Sequence, residues 1–357
     1  MLKERIMNLQ EKMKTRGLTQ MLVTDAPSIF YLTGRWIDAG ERLLALLVKE
    51  QGAPTLFINE LFPEKEEEGL SFVWLKDVSD TMAVVSAHVD QDKTLGIDKN
   101  WPSGFLMALV EKLGRYDVVN ASLLLDELRA IKSEEEKEFM RKASKLNDEA
   151  MGLLIESLAE NMSELEVEER LKIIYSDLGA DGFSFTPIIA FGKNGANPHH
   201  ENGNRLLKKG DMVILDIGCR KNHYCADMTR TVCFGEVHEK AKDVFNIVLE
   251  ANKRAIAMVK PGVRFKDIDL AARNYIEEQG YGPFFTHRTG HSIGIEVHDF
   301  GDVSSVNEDV LKPGMIFSVE PGIYLTGEFG VRIEDLILVT EDGYENLNHY
   351  PKEFVVL

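Results

Sequence analysis

The spacing of apolar positions changes along the chain, and the changes mark its elements. Leu2 to Arg16 has helical spacing and predicts an amphipathic helix. Short apolar runs at Gln20 to Thr24, Leu43 to Val48, Thr55 to Ile58 and Thr94 to Ile97 predict strands. Ala26 to Leu32, closed by Gly34, and Phe105 to Leu113 predict helices between them. This first stretch reads as a mixed α/β unit. Ser133 with Glu136, and Ser163 with Glu166, are capping boxes that open two long helices. Phe139, Met140, Ala143, Leu146, Ala150 and Leu153 mark the buried face of the first. Strand-like runs follow, including Phe185 to Phe191. The order then repeats: a helix over Glu239 to Val259, a break at Lys260-Pro261-Gly262, a helix over Phe265 to Gln279, then strands.

In each copy a short apolar strand ends in a carboxylate, turns, and returns past another. Met212 to Asp216 is followed by the turn formers of Gly218 to His223 and by the returning run Ala226 to Val232. A turn centred near Lys221 and Asn222 sets Asp216 opposite Asp227, with Cβ atoms about 4.5–5.5 Å apart. Met315 to Glu320 turns around Gly327 and returns through Val331 to Val339, setting Glu320 opposite Glu334. Arg332, two residues before Glu334, shares its face. Carboxylates this close repel one another unless a cation lies between them. Four of them facing one another define a place for two divalent ions.

The remaining features narrow the chemistry. The 357 residues imply two domains, with the joint at Leu123 to Ile131 giving a division into 1–123 and 124–357. A net charge of −18 argues against nucleic acid or an anionic membrane as partner. Charges at Lys3, Glu4 and Arg5 interrupt any signal-peptide core, and a cytoplasmic location is expected. Cys219, Cys225 and Cys233 are then reduced thiols. His287 and His291 have the spacing of a helical zinc pair, but Gly290 lies between them and Gly282-Pro283 precede. A loop leading into an alternating strand (Ile293, Ile295, Val297), ended by His298, fits better, and His199 and His200 occupy another loop. Oxygen donors dominate the set, pointing to Mn²⁺ or Co²⁺, with Fe²⁺ or Zn²⁺ also compatible. Two such ions about 3.5–4 Å apart can make hydroxide from water near neutral pH, which is hydrolase chemistry.

Here the residues resemble a known family. LDIGCRKNHYCADMTRT, THRTGHSIGIEVHD, IFSVEPGIY and GVRIEDLILVT, with ANPHH as a weaker fifth stretch, are similar to the pita-bread metallopeptidases. That family includes Xaa-Pro dipeptidases, aminopeptidase P, methionine aminopeptidases and the metal-free creatinases. Phe30 to Gly34 resembles the creatinase-type N-terminal domain, which methionine aminopeptidases lack. The resemblance implies an α+β, pita-bread catalytic domain with pseudo-twofold halves behind a smaller mixed α/β domain. It implies Asp216, Asp227, His291, Glu320 and Glu334 as ligands of two divalent metals, most simply Mn²⁺, with Co²⁺ or Zn²⁺ as alternatives. Glu320 would also move the proton. His298 and Tyr324 would meet substrate, Arg332 would orient Glu334 and Asp227 or bind substrate, and His287 and His199 would line the site. The implied substrate is a small peptide with proline second, the implied assembly a homodimer. Xaa-Pro dipeptides are the expected substrate, with Arg35 or Arg42 as the expected clamp for the free carboxylate. The alternatives are an aminopeptidase P acting on longer peptides, and a metal-free amidinohydrolase or binding module.

Overall fold

The computed structural model describes residues 2–114 and 117–357. It comprises two compact units, Met1–Arg129 and Ala130–Leu357.

In the first unit, α1 (Leu2–Thr15) buries Arg5, Leu9 and Met13, one per turn. Then come β1 (Gln20–Val23), α2 (Ala26–Thr33), β2 (Ala45–Lys49), β3 (Thr55–Asn59), β4 (Ser71–Leu75), α3 (Thr81–Ser86), β5 (Leu95–Ile97), α4 (Ser103–Leu113), β6 (Val118–Asn120) and α5 (Ser122–Ala130). The strands form a mixed sheet in the order β4-β3-β2-β1-β5-β6. Leu22, Ala45, Leu47 and Phe57 of the sheet pack on Met82, Val85, Leu109 and Leu113 of α3 and α4. Asp25 caps α2 through Ser28 N, and Gly34 closes it in the left-handed conformation. The loop after α2 does not offer free cations. Arg35 pairs with Glu64 and Glu67, and Arg42 with Glu41 and Asp77.

The second unit is a doubled motif. Its first half has α6 (Glu134–Glu156), α7 (Glu164–Asp177), β7 (Gly182–Phe183), β8 (Ile188–Phe191), β9 (Met212–Ile217), β10 (Cys219–Lys221), β11 (Tyr224–Cys225) and β12 (Met228–Cys233). Its second has α8 (Glu239–Ala257), α9 (Phe265–Glu278), β13 (Gly290–His291), β14 (Asp302–Val303), β15 (Ile316–Val319), β16 (Gly322–Leu325), β17 (Phe329–Arg332), β18 (Asp335–Val339) and β19 (Tyr344–Asn346). Both capping boxes form. On α6 the buried face includes Met140, Ala143 and Ala150, but Leu153 points to solvent while Met151 and Leu154 take the inner positions.

β9 pairs antiparallel with β12, with Ile217 facing Met228, and β15 pairs antiparallel with β18, with Val319 facing Asp335. The central strand pairs of the two halves therefore correspond. One further contact follows the same symmetry. Asn147, buried in α6, donates to Ile217 O at 3.0 Å, and Asn252, buried in α8, donates to Val319 O at 2.9 Å. Each amide fixes a hairpin where it leaves its ladder. A buried carbonyl stripped of its donor costs about 1–3 kcal/mol. Asn147→Leu is expected to lose about that much in urea unfolding; wild-type stability in the variant would refute the role.

The first hairpin differs from the expected register. Arg220 faces Cys225 and Lys221 faces Tyr224, so the turn is Asn222-His223, both at positive φ (53° and 66°). This is the backbone of a two-residue hairpin turn whose twist matches the strands. Asp216 consequently faces Thr229, not Asp227. The shift is two residues, so both carboxylates stay on one face. The second hairpin has the expected register: Gly322 faces Arg332 and Val319 faces Asp335, with Glu320 and Glu334 at the break between the two ladders. Residues 293–297 are not a strand. They close a loop held by Asp299 N on Ser292 O and by Cys225 N on Gly294 O, with Ile293 and Ile295 turned inward.

Candidate active site

Strand parity places the site. Val213, Leu215 and Ile217 of β9 join the core of the first half, as do Met228 and Val232 of β12. Asp216, Asp227 and Thr229 therefore lie on the opposite face. In the second half Phe317, Val319, Ile323, Val331, Ile333 and Ile337 join the core. Glu320, Tyr324, Arg332 and Glu334 alternate with them and face away from it. The two polar faces share a cavity of ≈ 590 Å³, in the range of small-ligand sites. Its lining includes Asp216, Asp227, His287, His291, His298, Glu320, Arg332, Glu334 and His199.

Of the two histidines in the upstream loop, His199 reaches the cavity. His200 turns to the buried Glu164, 2.8 Å away. Glu164 also accepts from Phe191 N and Gly203 N, holding the loop from both sides. His287 and His291 are on no helix. His291 lies in β13, where its backbone N–H donates to Ser318 Oγ at 3.0 Å. Gly290 beside it touches the neighbouring strand so closely that a Cβ would run into the Ser318 carbonyl. The ring planes of His291 and His298 meet edge to face at 4.4 Å.

Burial, more than any contact, sets the protonation of the cluster. It raises Asp227 and Glu334 well above the usual carboxylate range, and repulsion among the four acids adds to it. Glu320 is pushed to about 7 by burial, with Asp216 adding and Arg332 opposing. Burial lowers His291 to about 3 and His287 to about 4. His291 is therefore neutral at pH 7, and its Nδ1 meets Ser292 O at 3.2 Å. With the proton on Nδ1, the Nε2 lone pair points at carboxylate oxygens of Asp227 (3.6 Å) and Glu320 (3.5 Å).

Arg332 organises the other side. It donates to Asp216 Oδ2 (2.6 Å), Thr229 Oγ1 (3.1 Å), Tyr324 OH (3.0 Å) and Pro198 O (3.3 Å). Tyr324 OH continues to His287 Nε2 at 2.7 Å, and His287 Nδ1 meets Arg288 O at 2.7 Å. Tyr324 thus sits behind His287, not in the lining. Thr229 donates to Glu334 Oε2 at 2.8 Å and Ser318 to Glu320 Oε1 at 3.2 Å.

Asp216 Oδ1, Asp227 Oδ1 and Glu334 Oε1 are buried without a hydrogen-bond partner among the described residues. Asp227, His291 and Glu334 offer ligand atoms all within 4.8 Å of one another. Unpartnered carboxylate oxygens facing a neutral imidazole lone pair suit divalent cations and little else.

The spacing of the histidines and carboxylates did not reveal Thr229, Ser318, Asn147, Asn252 or Arg288. The asparagines left one trace, an amide inside an apolar helical stripe. Arg288 left none.

A doubled α+β unit with this donor set is that of a metal-dependent hydrolase. The chain belongs to the Metallopeptidase family M24, which it matches over residues 138–341, and residues 5–131 match the Creatinase/Prolidase N-terminal domain. It is 39% identical to an uncharacterized peptidase of Staphylococcus aureus over 92% of this chain and 94% of that one. Among solved structures it resembles a recombinant prolidase from Thermococcus sibiricus (TM-score 0.96, 35% identity, 100% and 99% coverage). It also resembles a Xaa-Pro dipeptidase from Bacillus anthracis (0.92, 31%, 100% of both chains) and an X-Pro aminopeptidase from Thermotoga maritima (0.84, 28%, 97% and 100%). The fold is thus the pita-bread catalytic domain behind a creatinase-type N-terminal domain, and the protein is a metallopeptidase.

Proposed function

We propose that the protein is a Xaa-Pro dipeptidase that hydrolyses the bond before proline with two divalent ions. The observation that carries the reading is the pairing of a full acid–histidine donor set with end-to-end similarity to a prolidase. Asp216, Asp227, Glu334, His291 and Glu320 would hold the ions. When bound, the ions supply Lewis acidity and lower the pKa of water. Glu320 takes the proton of the attacking water and passes it to the proline nitrogen as the C–N bond breaks. His298 is half-buried, and burial and then the charge of Arg288 hold its pKa down. It is neutral at pH 7 and offers an N–H to the carbonyl oxygen. Arg332 holds Asp216 in place and, through Tyr324, His287.

The finer expectations follow the same reading. Oxygen donors favour Mn²⁺. Three free, buried cysteines suit a cytoplasmic setting. Among the described residues no helix is long and apolar enough to cross a membrane. A homodimer is the expected assembly. Aminopeptidase P activity on longer peptides is the alternative.

The test is kcat/KM, in defined Mn²⁺, for a Xaa-Pro dipeptide and the matching Xaa-Ala dipeptide. Preference for Xaa-Pro is expected. Equal or faster cleavage of Xaa-Ala would overturn the proline reading.

A further inference from the structure

If His298 offers an N–H to the substrate carbonyl, its ring has to be aimed. Among the described residues no hydrogen bond engages that ring, which packs edge to face on His291 at 4.4 Å. Its direction therefore comes from its backbone. That backbone belongs to a loop over 292–301. Asp299 N donates to Ser292 O at 2.9 Å and Ser292 N to Gly301 O at 3.0 Å, closing the loop on itself.

The residue after His298 gives this loop a charged handle. Asp299 turns inward, and its Oδ2 lies 3.6 Å from Lys132 Nζ, with the two side chains 4% and 2% exposed. A Cβ at Gly294 would stand 2.9 Å from Asp299 Oδ2 and 3.0 Å from Lys132 Cε, so the pair fills the space that this glycine leaves. Lys132 is itself anchored. Its N–H donates to Gly314 O at 2.9 Å, and Gly314 N donates to Val339 O at 2.9 Å. Gly314 stands just ahead of β15, the strand that leads into Glu320. Ser133, next to Lys132, caps α6. A buried ion pair seldom contributes more stability than an apolar pair of similar size. Its use at this place is to fix a geometry, and the geometry it fixes is that of the loop carrying His298 relative to the strand carrying Glu320.

We propose that Lys132 is a positioning residue for the peptidase reaction: through Asp299 it holds the 292–301 loop and aims His298 at the scissile carbonyl. The inference rests on the role given to His298 in the dipeptidase reading and deepens it. Lys132 meets neither substrate nor the ion site. It acts only through the loop that it pins from behind.

Lys132→Met alone leaves Asp299 buried without this cation. The informative variant is Lys132→Met/Asp299→Asn, which carries no charge there and keeps an oxygen for Phe300 N. Asp299→Asn alone is a milder second variant, nearly isosteric, which weakens the pair without emptying the space. Each is made in the wild type and in His298→Ala, and all are assayed on a Xaa-Pro dipeptide in defined Mn²⁺. Tm and bound Mn²⁺ are measured on the same preparations. A displacement of about 1 Å at a reacting group costs about 10²-fold. A fall of that order in kcat is expected for Lys132→Met/Asp299→Asn, and a smaller one for Asp299→Asn, with KM, Tm and bound Mn²⁺ close to those of wild type. In His298→Ala the same changes should cost little more, because the ring they misdirect is gone. A residue that only stabilises the fold would instead give losses that multiply with that of His298→Ala. Such multiplication, or wild-type kcat in both variants, would sink the role of Lys132. Unchanged kcat in His298→Ala itself would sink the reading of His298.

Discussion

Glu320→Gln is expected to retain its fold and its metal while losing turnover by about 10²- to 10⁴-fold, the range that general acid–base groups contribute. The amide keeps an oxygen where the carboxylate had one and is nearly the same size. Ser318 Oγ, which donates to Glu320 Oε1, can still donate to it. What disappears is a site for a proton. Glu320 is suited to that work by its place in the cavity wall beside Asp216, Asp227, Glu334 and His298, where a carboxylate oxygen can take a proton from water and release it to a leaving nitrogen. Steady-state kinetics and metal analysis on the same preparation decide the matter. Near-normal turnover with both ions bound would show that another group moves the proton.

The second large effect is the response of stability to metal. In the metal-free protein Glu320 titrates near 7, and Asp227 and Glu334 are also raised. In the unfolded chain carboxylates titrate near 4. Between those values the folded state holds protons that the unfolded state has released. Their contribution to stability is present at low pH and lost as pH rises through about 7. His291 acts in the opposite sense, because its folded pKa of about 3 costs stability only below the ordinary histidine range. From pH 6.5 to 8 the carboxylates govern, and the apoprotein is expected to lose stability. Divalent ions compete with those protons and remove the repulsion. At a hundred times Kd one ion contributes about 2.7 kcal/mol, or roughly 5–10 °C in Tm for a unit of this size. Activity should vanish with chelator and return with Mn²⁺ or Co²⁺. The metal-induced rise in Tm should be larger at pH 8 than at pH 6. A rise independent of pH, or full activity without metal, would mean that the acid cluster is not the ion site.

Much of this arrangement is legible in the sequence, for identifiable reasons. Capping boxes at Ser133 and Ser163 are local chemistry and formed where expected. The second hairpin has Gly327 at φ 83°, a conformation that glycine marks, and its register came out as read. The first hairpin turns on Asn222-His223 without a glycine, so nothing in the residue types separated that turn from one placed a residue earlier. The false strand at 293–297 has the alternation of a strand because Ile293 and Ile295 are buried. Only its tertiary hydrogen bonds make it a loop. The Arg35–Arg42 segment looked like a free cationic patch because Glu64, Glu67 and Asp77 lie 29 to 35 positions away. Long-range partners of that kind leave no periodic trace.

The turn at Asn222-His223 constrains how this chain can drift over evolutionary time. Past Gly218 the strands β10 and β11 form a short ribbon, with β7 paired along β10, and a ribbon tip is ordinarily a tolerant place for inserted residues. Here tolerance depends on parity. Two added residues, one on each strand, lengthen the ribbon and leave Asp216 and Asp227 on a common face. A single added residue, unless absorbed by a bulge, turns Asp227 into the core of the first half and brings Ala226 to the cavity. Length variants among descendants of this protein should therefore cluster at even steps in this ribbon.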